Sequence, residues 1–115
     1  MTKKITEFKL HNEIYFEFVN LNYYDDFDFT SDIIRNDIKA NEIDEKIIPG
    51  WYMSRTFELN DLKFQLIVSD EFPMDLKLLE QNKEDNNRLR QLANKILSII
   101  KAKSNRYKPV RKKSD

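Results

Sequence analysis

The chain contains no cysteine. Disulfides, thiol nucleophiles and Cys-ligated zinc or iron–sulfur centres are therefore excluded. It has one histidine, His11. With no second imidazole, a His-based metal site or a serine–histidine relay has little to work with. His11 is expected to be an exposed turn residue. One glycine is present, Gly50, and it directly follows Pro49, one of three prolines; this pair is the firmest structural boundary in the sequence. No run approaches the roughly 18 apolar residues of a membrane span. The first residues, MTKKITEFKL, carry positive charge with no apolar stretch behind them, unlike a secretory signal. The expectation is a soluble cytoplasmic protein with no membrane partner and no cofactor.

What is present is charge, and it is unevenly placed. Lysine plus arginine and aspartate plus glutamate both number 20 in 115 residues, for a formal net charge of zero. Residues 101–115 hold seven bases and one acid, which leaves 13 bases and 19 acids in residues 1–100, a net of −6. Residues 13–48 alone hold ten acids and three bases. An acidic body with a basic tail bears on solubility and partners, not on fold. The length suits one domain with a core of its own. It is assigned to residues 1–103, with 104–115 as a basic, disordered tail.

The apolar pattern alternates with a period of two in several places. ITEFKL and EIYFEFV flank His11–Asn12 as a hairpin. After Pro49–Gly50, WYMSRTFEL and LKFQLIVS flank Asn60–Asp61 as the clearest hairpin in the chain. MDLKLLE suggests a further short strand through Met74, Leu76 and Leu78, or the opening of the last helix. Residues 30–47, from Thr30 or Ser31 as a cap, read as a helix with Ile33, Ile34 and Ile38 on one face. From about Glu84 to Lys103, Leu89, Leu92, Ala93, Ile96, Ile99 and Ile100 recur at three and four residues, which predicts a long amphipathic helix. Asn82 and Asp85 have the spacing of a capping pair at its start. The expected architecture is α+β: an antiparallel sheet of about five strands, a long C-terminal helix on one face, and a shorter helix between strands 2 and 3. A partly closed barrel capped by the helix is the alternative.

Four chemical readings compete with a purely structural one. DFDFT, Asp26–Thr30, matches the D-x-D-x-T nucleophile loop of haloacid-dehalogenase-like phosphatases. That fold needs a parallel sheet, more chain, and a downstream lysine and acidic pair, so an acidic solvated stretch is preferred. Asp26, Asp28, Thr30, Asp32 and Asp37 fall at calcium-loop positions, but Ser31 stands where the loop needs glycine and Asp37 is shorter than the usual glutamate. Arg55 shares register with Trp51, Met53 and Phe57; such a residue more often reaches a sheet edge or pairs with an acid than serves a pocket. The tail KAKSNRYKPVRKK suits nucleic-acid phosphates, with Tyr107 to stack on a base. The acidic body opposes that use, so nucleic acid is the secondary partner. No spacing of carboxylates singles out an acid–base pair, and the chain is read as a non-enzyme.

The stretch NYYDDFDFTSD, Asn22–Asp32, places four aromatics among four aspartates. On extended chain Phe27 and Phe29 enter the core while Asp26 and Asp28 face out. Tyr23 and Tyr24 cannot both be buried there, because neighbours point to opposite sides. Exposed tyrosine beside carboxylates has the composition of a hot spot for a basic protein surface. Asp37, Glu42, Asp44 and Glu45 would widen that face. In its size, absence of cysteine, charge layout and YYDDFDF stretch, the chain resembles the immunity proteins of bacterial toxin systems, including contact-dependent growth inhibition. The resemblance implies a protein that occludes a cognate toxin domain with a basic surface, such as a nuclease. It implies contacts through Tyr23, Tyr24, Asp25, Asp26, Asp28 and Asp32. The alternative is a nucleic-acid-associated accessory protein acting through its tail.

Overall fold

Two-residue turns set much of the architecture. In the computed structural model, which describes residues 4–19, 21, 25–69 and 73–107, His11 and Asn12 have φ of 52° and 66°, and Asn60 and Asp61 have 47° and 71°. Positive φ at both central positions defines the type I′ turn, whose twist matches that of paired strands. The first turn joins β1 (Lys4–Leu10) to β2 (Glu13–Val19), and the second joins β4 (Tyr52–Leu59) to β5 (Leu62–Ser69). His11 is exposed, as expected.

The Pro49–Gly50 pair is a boundary of a different kind from the one expected. It does not end a helix. Trp51 N–H donates to the Ile48 carbonyl at 3.0 Å, and Gly50 has φ of 77°. Proline followed by a positive-φ glycine suits a tight turn of type II, and here it joins two strands. The first is β3, Asn41–Ile48, within the segment expected to be helical. The helix ahead of it instead starts earlier: α1 spans Asp25–Asp32 and runs on as a π-helical turn over Ile33–Asp37. Ile38 N–H reaches back to Ile33 and Ala40 N–H to Ile34, both at 3.0 Å, and Lys39 takes a φ of 68°. That left-handed residue stops the helix and turns the chain into β3.

All six strands pair antiparallel, in the order β1-β2-β6-β5-β4-β3, where β6 is Asp75–Leu78. The fold is α+β, with the long helix α2 (Lys83–Tyr107) and the short helical segment on the same face of an open sheet. No helix among the described residues is long and apolar enough to cross a membrane.

The core follows the alternation. Phe16 and Phe18 of β2, Phe57 of β4, Phe64, Leu66 and Val68 of β5, and Leu76 and Leu78 of β6 are buried beneath the helices. Leu89, Ala93, Ile96 and Ile100 descend onto them from α2, all fully buried, and Phe27, Ile33 and Ile34 do so from α1 and its π turn. Each such leucine, isoleucine or phenylalanine contributes about 1.5–3 kcal/mol on burial. Leu92 and Ile99 lie at the margin, partly buried against the cluster.

Asn82 caps α2 as its spacing suggested. Its Oδ1 accepts from Asp85 N–H at 2.9 Å, and its Nδ2 donates to Asp85 Oδ2 at 3.0 Å. Asn82→Ala should lower stability by about 1 kcal/mol in urea unfolding. A variant as stable as the parent would mean that the first turn of α2 does not depend on this cap.

Candidate functional site

The acidic stretch falls on α1. Tyr23 and Tyr24 lie outside the described residues, and Asp25 opens the helix. Because the chain is helical from Asp25, partition follows the 3.6-residue period, not strand alternation. Phe27 is fully buried and Phe29 is partly buried against the core. Asp28 and Asp32, one turn apart, share the outer face, with side chains 77% and 62% exposed. Asp26 is half-buried.

The aspartates are not a bare anionic surface. Arg55 of β4 reaches into the angle between α1 and β3, with its side chain only 12% exposed. Its Nε donates to Glu45 Oε2 at 2.8 Å, and its Nη1 donates to Asp28 Oδ1 at 2.8 Å and to Ser31 Oγ at 2.9 Å. The guanidinium also lies over the Phe27 ring, 4.7 Å from its centroid. Burial alone would pull the Arg55 pKa down, and the bonds to Asp28 and Glu45 outweigh it and hold it above its ordinary value. One turn along, Arg35 donates to Asp32 at 2.6 Å and to Glu42 at 2.9 Å. Four carboxylates thus share two guanidiniums, so the face stays negative with its oxygens held in place.

The same contacts tie α1 to β3, and β3 is one of the two edge strands. All eight of its residues are exposed. Ile43, Ile47 and Ile48 are 47%, 50% and 44% exposed, and Trp51 in the following turn is 64% exposed. A strand at a sheet edge carries unpaired N–H and C=O groups along its outer side. The register slips between Glu42 and Asp44, a bulge of the kind that discourages indiscriminate pairing. Asp37, at the end of the π turn, is met by Lys103 of α2 at 3.3 Å.

The other sequence motifs resolve differently. Asp26–Thr30 is helical, with Thr30 buried, so it is not a nucleophile loop at a strand end. The residues at calcium-loop positions wind around α1 and its π turn, and Asp28 and Asp32 point to different arginines. Among the described residues no group of three or more candidate ligands could hold a metal ion. Helix α2 continues through Tyr107, into the segment assigned to the tail, and residues 108–115 lie outside the described residues.

No protein-family model, curated protein or solved structure matches the chain. Sequence reasoning missed the strand character of Asn41–Ile48, and with it Ile43 and Ile47. The available signal was Pro49–Gly50, which suits a hairpin as well as a helix end.

Proposed function

We propose that this chain is a small protein-binding inhibitor of the immunity type, acting by occlusion through the α1–β3 edge. The observation that carries the reading is β3: eight exposed residues at a sheet edge, with isoleucines interleaved among carboxylates. A partner strand laid against it would gain main-chain hydrogen bonds, while Ile43 and Ile47 would supply apolar contact. Asp28, Asp32, Asp44 and Glu42 would accept from lysine or arginine around it. A second copy of this chain is a poor occupant, because antiparallel self-pairing centred on the strand would set Asp44 opposite Glu45 of the copy. A basic protein surface is the complement. Tyr23, Tyr24 and Asp25, which directly precede this segment in the sequence, are proposed as further contacts.

The test uses the C-terminal domain of a large reading frame neighbouring this gene, where one is encoded, as the candidate toxin. The parent chain should bind it with nanomolar affinity that weakens as salt is raised. Ile47→Lys and Asp44→Lys should each weaken binding by about 10- to 100-fold without loss of fold. Tyr24→Ala and Asp26→Ala probe the YYDD stretch in the same assay. Variants that fold and bind as tightly as the parent would rule out this surface. A parent chain that neither binds nor neutralises the domain would remove the function.

A further inference from the structure

The helix-free face of the sheet holds a second feature. A cavity of about 610 Å³ lies there, lined from one side by Phe8 of β1 and Tyr15 of β2, and from the other by Trp51 and Tyr52. In a flat sheet, β1 and β4 would stand about 19 Å apart across four strand spacings. Their sharing one cavity means that the sheet is bent into a trough on this side.

At the floor of the trough sits Asp75, on central strand β6. It is only 4% exposed although no helix covers it. Its Oδ1 has no hydrogen-bond partner. Its cross-strand neighbours are Glu17 of β2 and Ile67 of β5. Lys77, two residues along and on the same side, does not answer it. Lys77 Nζ donates to Glu13 at 2.7 Å and lies over the Tyr15 ring, 5.4 Å from its centroid. Phe8 and Tyr15 stack at 5.1 Å and form one aromatic wall. A buried carboxyl oxygen without a partner is costly, and native structures keep few of them. An anion would face Glu17 and Glu13, and Asp75 once ionised, whereas a cation would complete the group. Aromatic walls suit the same choice, since ring faces attract cations. The volume is that of a small-ligand site, mostly apolar with a few convergent polar groups.

We propose that this trough binds a small organic cation, a primary amine with an apolar body. Its ammonium seats on Asp75 beside Glu17, and its body lies between the Phe8–Tyr15 and Trp51–Tyr52 walls. The site is separate from the α1–β3 edge and does not depend on the inhibitor reading.

Trp51 is the only tryptophan and lines the trough, so its fluorescence reports occupancy. The full chain is titrated with phenethylamine and, in parallel, with phenethyl alcohol, which has the same body and no charge. The amine should give a saturable response with a midpoint near 1 mM or below, and the alcohol should bind at least about 10-fold more weakly. Asp75→Asn should weaken the amine about 10-fold or more and leave the alcohol unchanged. Glu17→Gln should cause a smaller loss. Burial and the Glu17 charge hold the Asp75 proton up to about 8. Amine affinity should therefore rise from pH 6 toward 8.5, with proton release visible by calorimetry in buffers of different ionisation enthalpy. The other titratable groups facing Asp75 are Tyr15 on β2, Tyr52 on β4 and Lys77 on its own strand. Equal binding of amine and alcohol would overturn the proposal. So would an Asp75→Asn variant that binds amine like the parent, or a flat titration to about 10 mM.

Discussion

Asp75→Asn should melt on the order of 10 °C above the parent at pH 8.5, with the gap closing as pH falls to about 4. Burial, reinforced by the nearby Glu17 charge, raises the folded pKa of Asp75 from 3.8 to about 8. Between those values the folded chain keeps a proton that the unfolded chain has lost. The folded state therefore binds more protons, and stability falls as pH rises through that window. At ~1.4 kcal/mol per pH unit, the whole gap is on the order of 5 kcal/mol, and water entering an open trough reduces it. About 2–3 kcal/mol is expected at pH 8.5, large for a domain of this size. Asparagine copies the neutral acid in shape and never ionises, so the variant should lose this slope. Glu7 and Glu13 act at the other end. Hydrogen bonds from Arg90 and Lys77 hold their pKa values below 4.5, so their contribution is present above that value and is lost as pH falls. The parent should thus be most stable between about pH 4 and 5. Calorimetry from pH 4 to 9 checks both limbs. A parent whose melting temperature is level from pH 5 to 8.5 would contradict the burial of this acid at the sheet centre.

Arg55→Ala should cost about 2–4 kcal/mol, the largest loss expected from any charged residue described. The side chain is 12% exposed, and it joins three elements by bonding Glu45 of β3 and Asp28 and Ser31 of α1 from its own place in β4. Truncation would leave Ser31 buried without this donor and remove the cation over Phe27. Arg55→Lys keeps the charge, but one ammonium cannot reproduce the guanidinium fork, so less than half of the loss should be recovered. Arg35→Ala is the comparison. Its bridges to Asp32 and Glu42 are more exposed, at 33% for the arginine side chain, and it should cost at most about 1 kcal/mol. Amide exchange across residues 25–37 should quicken in the Arg55→Ala variant. If urea unfolding puts the Arg55 and Arg35 variants level, Arg55 does not hold α1 to the sheet.

The parts of the fold legible in the sequence were those with a clean period. The β4–β5 hairpin and the α2 stripe were visible because alternation and 3.6-residue recurrence persist over several turns or rungs. The exposed strand β3 was not. An edge strand with all its residues exposed has no buried face to impose alternation, and Ile43 and Ile47 stand four apart as they would on a helix. The start of α1 was obscured for a related reason: Thr30 and Ser31 look like caps, yet both are buried inside the helix, with Ser31 answering Arg55. The aspartates of the candidate surface were visible as composition. Their division between Arg55 and Arg35 was not, because it depends on β3 and β4 being paired. Asp75 was hidden by its neighbours. Met74, Leu76 and Leu78 mark the buried side of β6, which assigns Asp75 to a face that a flat sheet would leave to water.

The position of β6 governs how the chain can be assembled during synthesis. Hairpin β1–β2 and the β3–β4–β5 meander can each form as soon as they leave the ribosome, but the order β2-β6-β5 leaves them nothing to share until residues 75–78 emerge. Four residues late in the chain then zip two half-sheets together. Until they arrive, the flanks of β2 and β5 stand open, which is the interval in which a nascent chain is most prone to aggregate. A chain cut before Asp75 should yield a hairpin and a three-stranded meander that associate with other chains in place of the missing strand.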